Sequence, residues 1–159
     1  MHTLILIPTD GSDLSDEAIQ YGTALAKAVN AKVTGVTVSP PIHVLAVEHD
    51  TVADTLESYR ARMTTLAAHR LAKVKEAANA AGVSCEVVHV EHEHPYKAII
   101  DVANTKACDV IVMASHGRRG LSAIVLGSET LKVLTHSTIP VLVYRGSRAG
   151  LSSPYFAAS

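Results

Sequence analysis

Val110-Ile111-Val112-Met113-Ala114-Ser115-His116-Gly117-Arg118-Arg119-Gly120-Leu121-Ser122-Ala123-Ile124-Val125-Leu126-Gly127-Ser128 changes character twice. It begins as a short apolar run of the kind that fills a buried strand. It then breaks into small and flexible residues, and ends at Gly127-Ser128, where a helical pattern starts. A strand that opens into a glycine-bearing loop and then a helix N-terminus is suited to holding phosphate. Glycines let backbone N–H groups approach an anion, and the first helical turn offers unpaired donors and a positive dipole end.

The rest of the chain sets the context. Its 159 residues suffice for one domain with a substantial core. With 48% apolar residues but no Trp and one Phe, that core must be aliphatic, as suits a parallel sheet covered by Ala-rich helices. A net charge of −1 gives no electrostatic case for nucleic acid or an acidic membrane surface. No apolar run approaches the roughly 18 residues of a membrane span. Cys85 and Cys108 lack metal-type spacing and no secretory pattern precedes them, so they read as buried, reduced thiols in a cytoplasmic protein.

Thr3 to Pro8 is a continuous apolar run, expected as a central strand buried on both faces. Thr9-Asp10-Gly11-Ser12 is a turn, with Ser12 or Asp13 capping a helix that carries Asp16 and Glu17 early. This N-terminus is already neutralised and makes a poor phosphate site. Ala18, Tyr21, Leu25 and Val29 keep helical spacing as far as Asn30. Lys32–Val38 reads as a second strand ended by Ser39-Pro40-Pro41, followed by a loop over 42–50 with His43 and His49. A long helix is expected over 51–81, with Leu56, Tyr59, Met63, Leu66, Val74 and Ala78 on its apolar stripe and Gly82 as its stop. Val83–Val90 is the third strand. Pro95 opens a helix with Tyr96, Ile99, Ile100 and Ala103 inward. Cys108–Met113 is the fourth strand, 128–136 a helix, and Val141–Tyr144 the fifth strand.

Strands alternating with helices give a parallel sheet with helices on both faces, and ligands lie beyond the strand C-termini where strand order reverses. The ends concerned are Pro8-Thr9-Asp10, Val38-Ser39 and Ala114-Ser115-His116. Neither G-x-x-x-x-G-K-[ST] nor G-x-G-x-x-G occurs. Ala114-Ser115-His116-Gly117, nine residues, then Gly127-Ser128 resembles the nucleotide loop of ATP-binding universal stress proteins, Gly-x-x-Gly-x9-Gly-[Ser/Thr], with Ala114 in place of the first glycine. Pro8-Thr9-Asp10-Gly11-Ser12, Asp109–Met113 and Ile139–Val143 resemble the same family, so the likeness spans about 4–145.

The resemblance implies an α/β domain over 1–145 and a C-terminal tail over 146–159. It implies a single open, Rossmann-like five-stranded parallel sheet in the order 3-2-1-4-5. It implies ATP as ligand, with Pro8 and Val38 enclosing the adenine and Asp10 meeting the ribose or a phosphate-bound Mg2+. Thr9, Ala114 and Arg118 adjoin these in the nucleotide-binding set. Ser115, His116 and Gly117 would start the phosphate loop, and Gly127, Ser128, Glu129 and Thr130 would present N–H and hydroxyl groups. Glu129 is expected to point away from the phosphates, which it would otherwise repel. A homodimer through Val141–Val143 is also implied. The expected function is an ATP-binding stress-response regulator whose 114–128 loop is ordered by nucleotide. The alternatives are a slow ATPase or autophosphorylating protein using Ser128 or Thr130, and a nucleotide-free scaffold. His89, His92 and His94 suggest a metal site, against which the duller reading is a polar turn.

Overall fold

The computed structural model describes residues 3–42, 55–117 and 126–146. Five strands, β1 (Leu4–Pro8), β2 (Lys32–Ser39), β3 (Cys85–Glu91), β4 (Val110–Ala114) and β5 (Val141–Tyr144), form one parallel sheet in the order β3-β2-β1-β4-β5. Helices α1 (Asp13–Ala28), α2 (Leu56–Ala81), α3 (Pro95–Thr105) and α4 (Ser128–His136) connect them. All but the first residue of the loop expected over 42–50, the first residues of the long helix, and the tail beyond Gly146 lie outside the described residues.

Strand alternation sorts the core into two layers. Ile5 and Ile7 of β1 join Ile19 and Ala26 of α1, Val74 and Ala77 of α2, and Val33 and Val112 on one face. Leu6 faces the other way, among Ile99 and Ala103 of α3, Val133 of α4, and Val36, Ile111 and Met113. Ile5, Leu6 and Ile7 have no exposed surface, as a continuous apolar run at the centre of a doubly covered sheet requires.

The helix ends follow local chemistry. Ser12 caps α1 by accepting the Ser15 N–H, and Thr55 caps α2 by accepting that of Ser58. Asn30 at φ 55° and Gly82 at φ 70° turn the chain out of α1 and α2, and Ala31 and Val83 N–H then reach back to Ala26 and Ala78 carbonyls.

Four sequence expectations shift. The inward face of α1 is Ser15, Ala18, Ile19, Gly22, Thr23 and Ala26, while Tyr21 and Val29 are exposed. Small residues let α1 lie close to β1 and β4, which a stripe of large apolar residues would prevent. Leu56 is likewise exposed, and α2 packs through Tyr59, Ala67, Leu71, Val74, Ala77 and Ala78. The fourth strand starts at Val110, not Cys108, because Ala107 turns the chain at φ 55° and Asp109 is bonded to both backbone groups of Leu4. The third strand is displaced by the same logic of register: Val33 receives its first partner at Cys85.

Gly35 sits directly beneath α2, where a Cβ would lie 2.9–3.1 Å from all three outer carbons of Val74. Gly35→Val should lower stability in urea unfolding by about 1–3 kcal/mol, since β-branched Val74 has no free rotamer to yield. Burial also pushes the Cys108 thiol up to about 11, with Asp109 adding to the effect. At pH 8 this group is a protonated thiol, so native protein should leave Cys108 unmodified by a thiol-disulfide reagent until denaturant is added.

Candidate functional site

The chain runs β1-β2-β3 outward in one direction, then returns past β1 to lay down β4 and β5 on the other side. Connections leaving β1 and β4 therefore diverge, and a crevice opens beyond Pro8 and Ala114. It is a cleft of about 340 Å³.

One wall is apolar: Pro8, Val36, Val38, Ile99 and Met113, closed by Pro95 at the start of α3. Such a surface suits a flat heteroaromatic ring. Of these, only Pro8 and Val38 are legible as site residues in the sequence. Val36, Ile99 and Met113 belong equally to the core, and no pattern announces that their outer edges reach a ligand. Ser15, one turn into α1, also reaches the cleft unannounced.

The β1 turn is held rigidly. Thr9 N–H donates to Val36 O at 2.8 Å, and Thr9 O receives the Thr37 hydroxyl at 2.7 Å. Thr9 Oγ1 accepts from Ser15 Oγ at 2.8 Å and from the Gly11 N–H at 3.2 Å. Gly11, at φ 79°, makes the tight bend possible. Ser12 N–H donates to Asp10 Oδ1 at 2.9 Å, which fixes the carboxylate at the rim. The carboxylate lies against Gly117, where any Cβ would collide with Oδ2. The two turns that are far apart in sequence thus meet at one place.

The β4 loop is closed by a hydrogen bond from Gly127 N–H to Ser115 O at 2.8 Å, while Ser115 N–H donates to Tyr144 O. Ser115 is buried and does not line the cleft; neither does Gly127, which packs so closely on His116 that a Cβ would lie 3.0 Å from His116 Cα. Both residues hold the loop ends together. Ala114, His116, Gly117, Ser128, Glu129 and Thr130 do line the cleft, with Pro8, Thr9, Asp10 and Val38. Arg118 and Arg119 lie outside the described residues.

The first intrahelical bond of α4 runs from Leu131 N–H to Gly127 O, and among the described residues no side chain caps the preceding N–H groups of Ser128, Glu129 and Thr130. Thr130 differs from expectation in its side chain: its hydroxyl donates to Ala114 O at 2.9 Å, so that proton is already engaged within the protein. Glu129 belongs to the cleft lining, while its carboxylate is held by groups outside that lining, with Oε2 accepting the Tyr96 N–H at 2.9 Å and Lys132 Nζ 3.4 Å from Oε1. The carboxylate thereby caps α3, whose N-cap His94 makes no side-chain cap of its own.

The histidine-rich turn works as structure. His89 Nε2 pairs with Ser39 Oγ at 2.8 Å, and burial holds the imidazole below its ordinary pKa. His92 Nδ1 accepts the His94 N–H at 2.8 Å. Among the described residues no three His, Cys, Asp or Glu side chains are arranged to hold a metal, and no helix is long and apolar enough to cross a membrane.

A sequence profile of the universal stress protein family matches residues 1–145. Universal stress protein MJ0531 of Methanocaldococcus jannaschii is 33% identical over 148 residues, covering 91% of this chain and 83% of that one. Among solved structures, MJ0577 of the same organism superposes with a TM-score of 0.77 at 26% identity, covering 94% and 99% of the two chains. A universal stress protein in complex with cAMP (TM-score 0.65, 23% identity, 91% and 98% covered) has the same fold. So does that of Archaeoglobus fulgidus in complex with dAMP (0.64, 16%, 90% and 97%). Profile, relatives and topology agree, and the chain belongs to the universal stress protein family.

Proposed function

We propose that the protein is an ATP-binding stress-response regulator that acts in the cytoplasm. In this reading nucleotide fills the cleft and fixes the 114–128 loop in one arrangement, and the surface so formed is what other proteins sense. The observation that carries it is the contrast among three helix N-termini. That of α1 is satisfied by Ser12 and bears Asp13 and Asp16, and that of α3 holds the Glu129 carboxylate. Only α4, among these three, opens on the cleft with its first N–H groups uncapped by any described residue. A phosphate there gains backbone hydrogen bonds and the helix dipole together. The apolar wall beside it would take the adenine, and Asp10 would meet the ribose hydroxyls or a phosphate-bound Mg2+. Two proteins of this fold hold adenine nucleotides, cAMP and dAMP, which supports the same ligand class here.

Purified protein should release adenine nucleotide on acid extraction, and ATP should raise its melting temperature by mass action. Gly127→Val drives a side chain into the His116 backbone at the loop closure while α4 and the sheet remain intact. It should weaken ATP binding about tenfold or more in calorimetry, with circular dichroism unchanged. Unaltered affinity would remove the loop from the site. Intact nucleotide and unmodified protein after incubation, read by mass spectrometry, would favour a pure binder over autophosphorylation at Ser128.

The reading also includes a homodimer. β5 pairs with β4 on one side, and its other edge has no partner strand among the described residues. Beside it α4 exposes Leu131 and Leu134. Pro140 O and Tyr144 O accept from β4, so by strand alternation Val143 N–H points outward along the free edge. Val143→Pro removes that donor without touching the β4 pairing. It should convert the dimer to a folded monomer in light scattering.

A further inference from the structure

Among the described residues that line the cleft, Asp10 and Glu129 are acidic and none is Lys or Arg. Among the described residues, the groups there that favour an anion are the first N–H groups and the dipole end of α4. Glu129 stands one residue beyond Ser128, in the same first turn that offers those donors. Its Oε2 receives the Tyr96 N–H at 2.9 Å, so two helix N-termini converge on the cleft and the protein fills one with its own anion.

Lys132 is the counterweight. Its ammonium is 3.4 Å from Glu129 Oε1 and 5.5 Å from the Tyr96 ring centroid, but it is not part of the lining. The Glu129 and Lys132 side chains are 38% and 47% exposed, so water and salt weaken both charges without abolishing them. A ligand's first phosphate gains the α4 donors. Each further phosphate brings more negative charge toward a fixed carboxylate.

We propose that Glu129 is a specificity-determining residue, setting how strongly the site favours or disfavours triphosphate over monophosphate adenine nucleotides. Lys132 acts in the opposite sense by neutralising it. This inference rests on the nucleotide reading above and adds a charge filter to it.

The test is calorimetric titration of the full chain with ATP and with AMP, in EDTA so that no divalent cation masks phosphate charge. Wild type, Glu129→Gln, Glu129→Asp and Lys132→Ala are compared at low and high salt. Gln keeps an oxygen for the Tyr96 N–H, so α3 stays capped. Glu129→Gln should raise the ratio of ATP to AMP affinity about fivefold at low ionic strength. The gain should shrink in high salt, and Glu129→Asp should keep the wild-type ratio. Lys132→Ala, at an exposed position, should lower the ratio. An unchanged ratio in both charge variants overturns the proposal. So does a change that ignores salt, or an equal loss of both ligands, which would make Glu129 a prop for the wall. Failure of the wild type to bind either nucleotide overturns the nucleotide reading itself.

Discussion

The pairing of β1 with β4 is the constraint on which the rest of the molecule depends. β1 lies at the centre of the sheet, with β2 on one side and β4 on the other. Its Ile5, Leu6 and Ile7 are sealed from water by helices on both faces. Burying three such side chains contributes on the order of several kcal/mol, by the usual 1.5–3 kcal/mol per residue. More important is where the pairing puts the strand ends. Two parallel neighbours whose connections leave in opposite directions cannot fill the space between those connections, and that space is the cleft.

What borders the cleft is then decided by hydrogen bonds. Thr9 spends its N–H, carbonyl and hydroxyl on Val36, Thr37, Ser15 and Gly11, so the Asp10 turn has little freedom to move. The Gly127 N–H to Ser115 carbonyl bond joins the two ends of the second loop at its base. The two turns touch at Asp10 and Gly117, a contact only glycine permits. A rigid rim with donors already aimed inward spares a ligand the cost of ordering them.

Polar groups at the rim also link two helix ends through one residue. Glu129 caps α3, which has no capping side chain of its own, and its charge stands in the first turn of α4. The same carboxylate that satisfies one helix end therefore sets the electrostatic character of the other. His92 and His89 are used similarly, as an acceptor and a hydroxyl partner within a turn that carries the chain from β3 to Pro95.

Much was legible in the residues themselves. The apolar run at Leu4–Pro8, the strand-loop-helix pattern around Gly127 and the capping residues Ser12 and Gly82 are local signals, because a buried strand, a tight turn and a helix end each constrain nearby side chains directly. With the alternation of strands and helices they determined a parallel sheet and the two turns of the cleft, while the strand order was implied by the family resemblance and is fixed by the pairing of distant strands. Tertiary structure decided what depends on a neighbour distant in sequence. Which face of α1 turns inward follows from the closeness of β1 and β4, and favours Gly22 and Ala26 over Tyr21 and Val29. The contribution of Val36, Ile99 and Met113 to the cleft, the loss of the Thr130 hydroxyl to Ala114, and the turning of Glu129 onto Tyr96 are likewise contacts between separate elements. No periodicity encodes them, since each exists only once the sheet has brought its partners together.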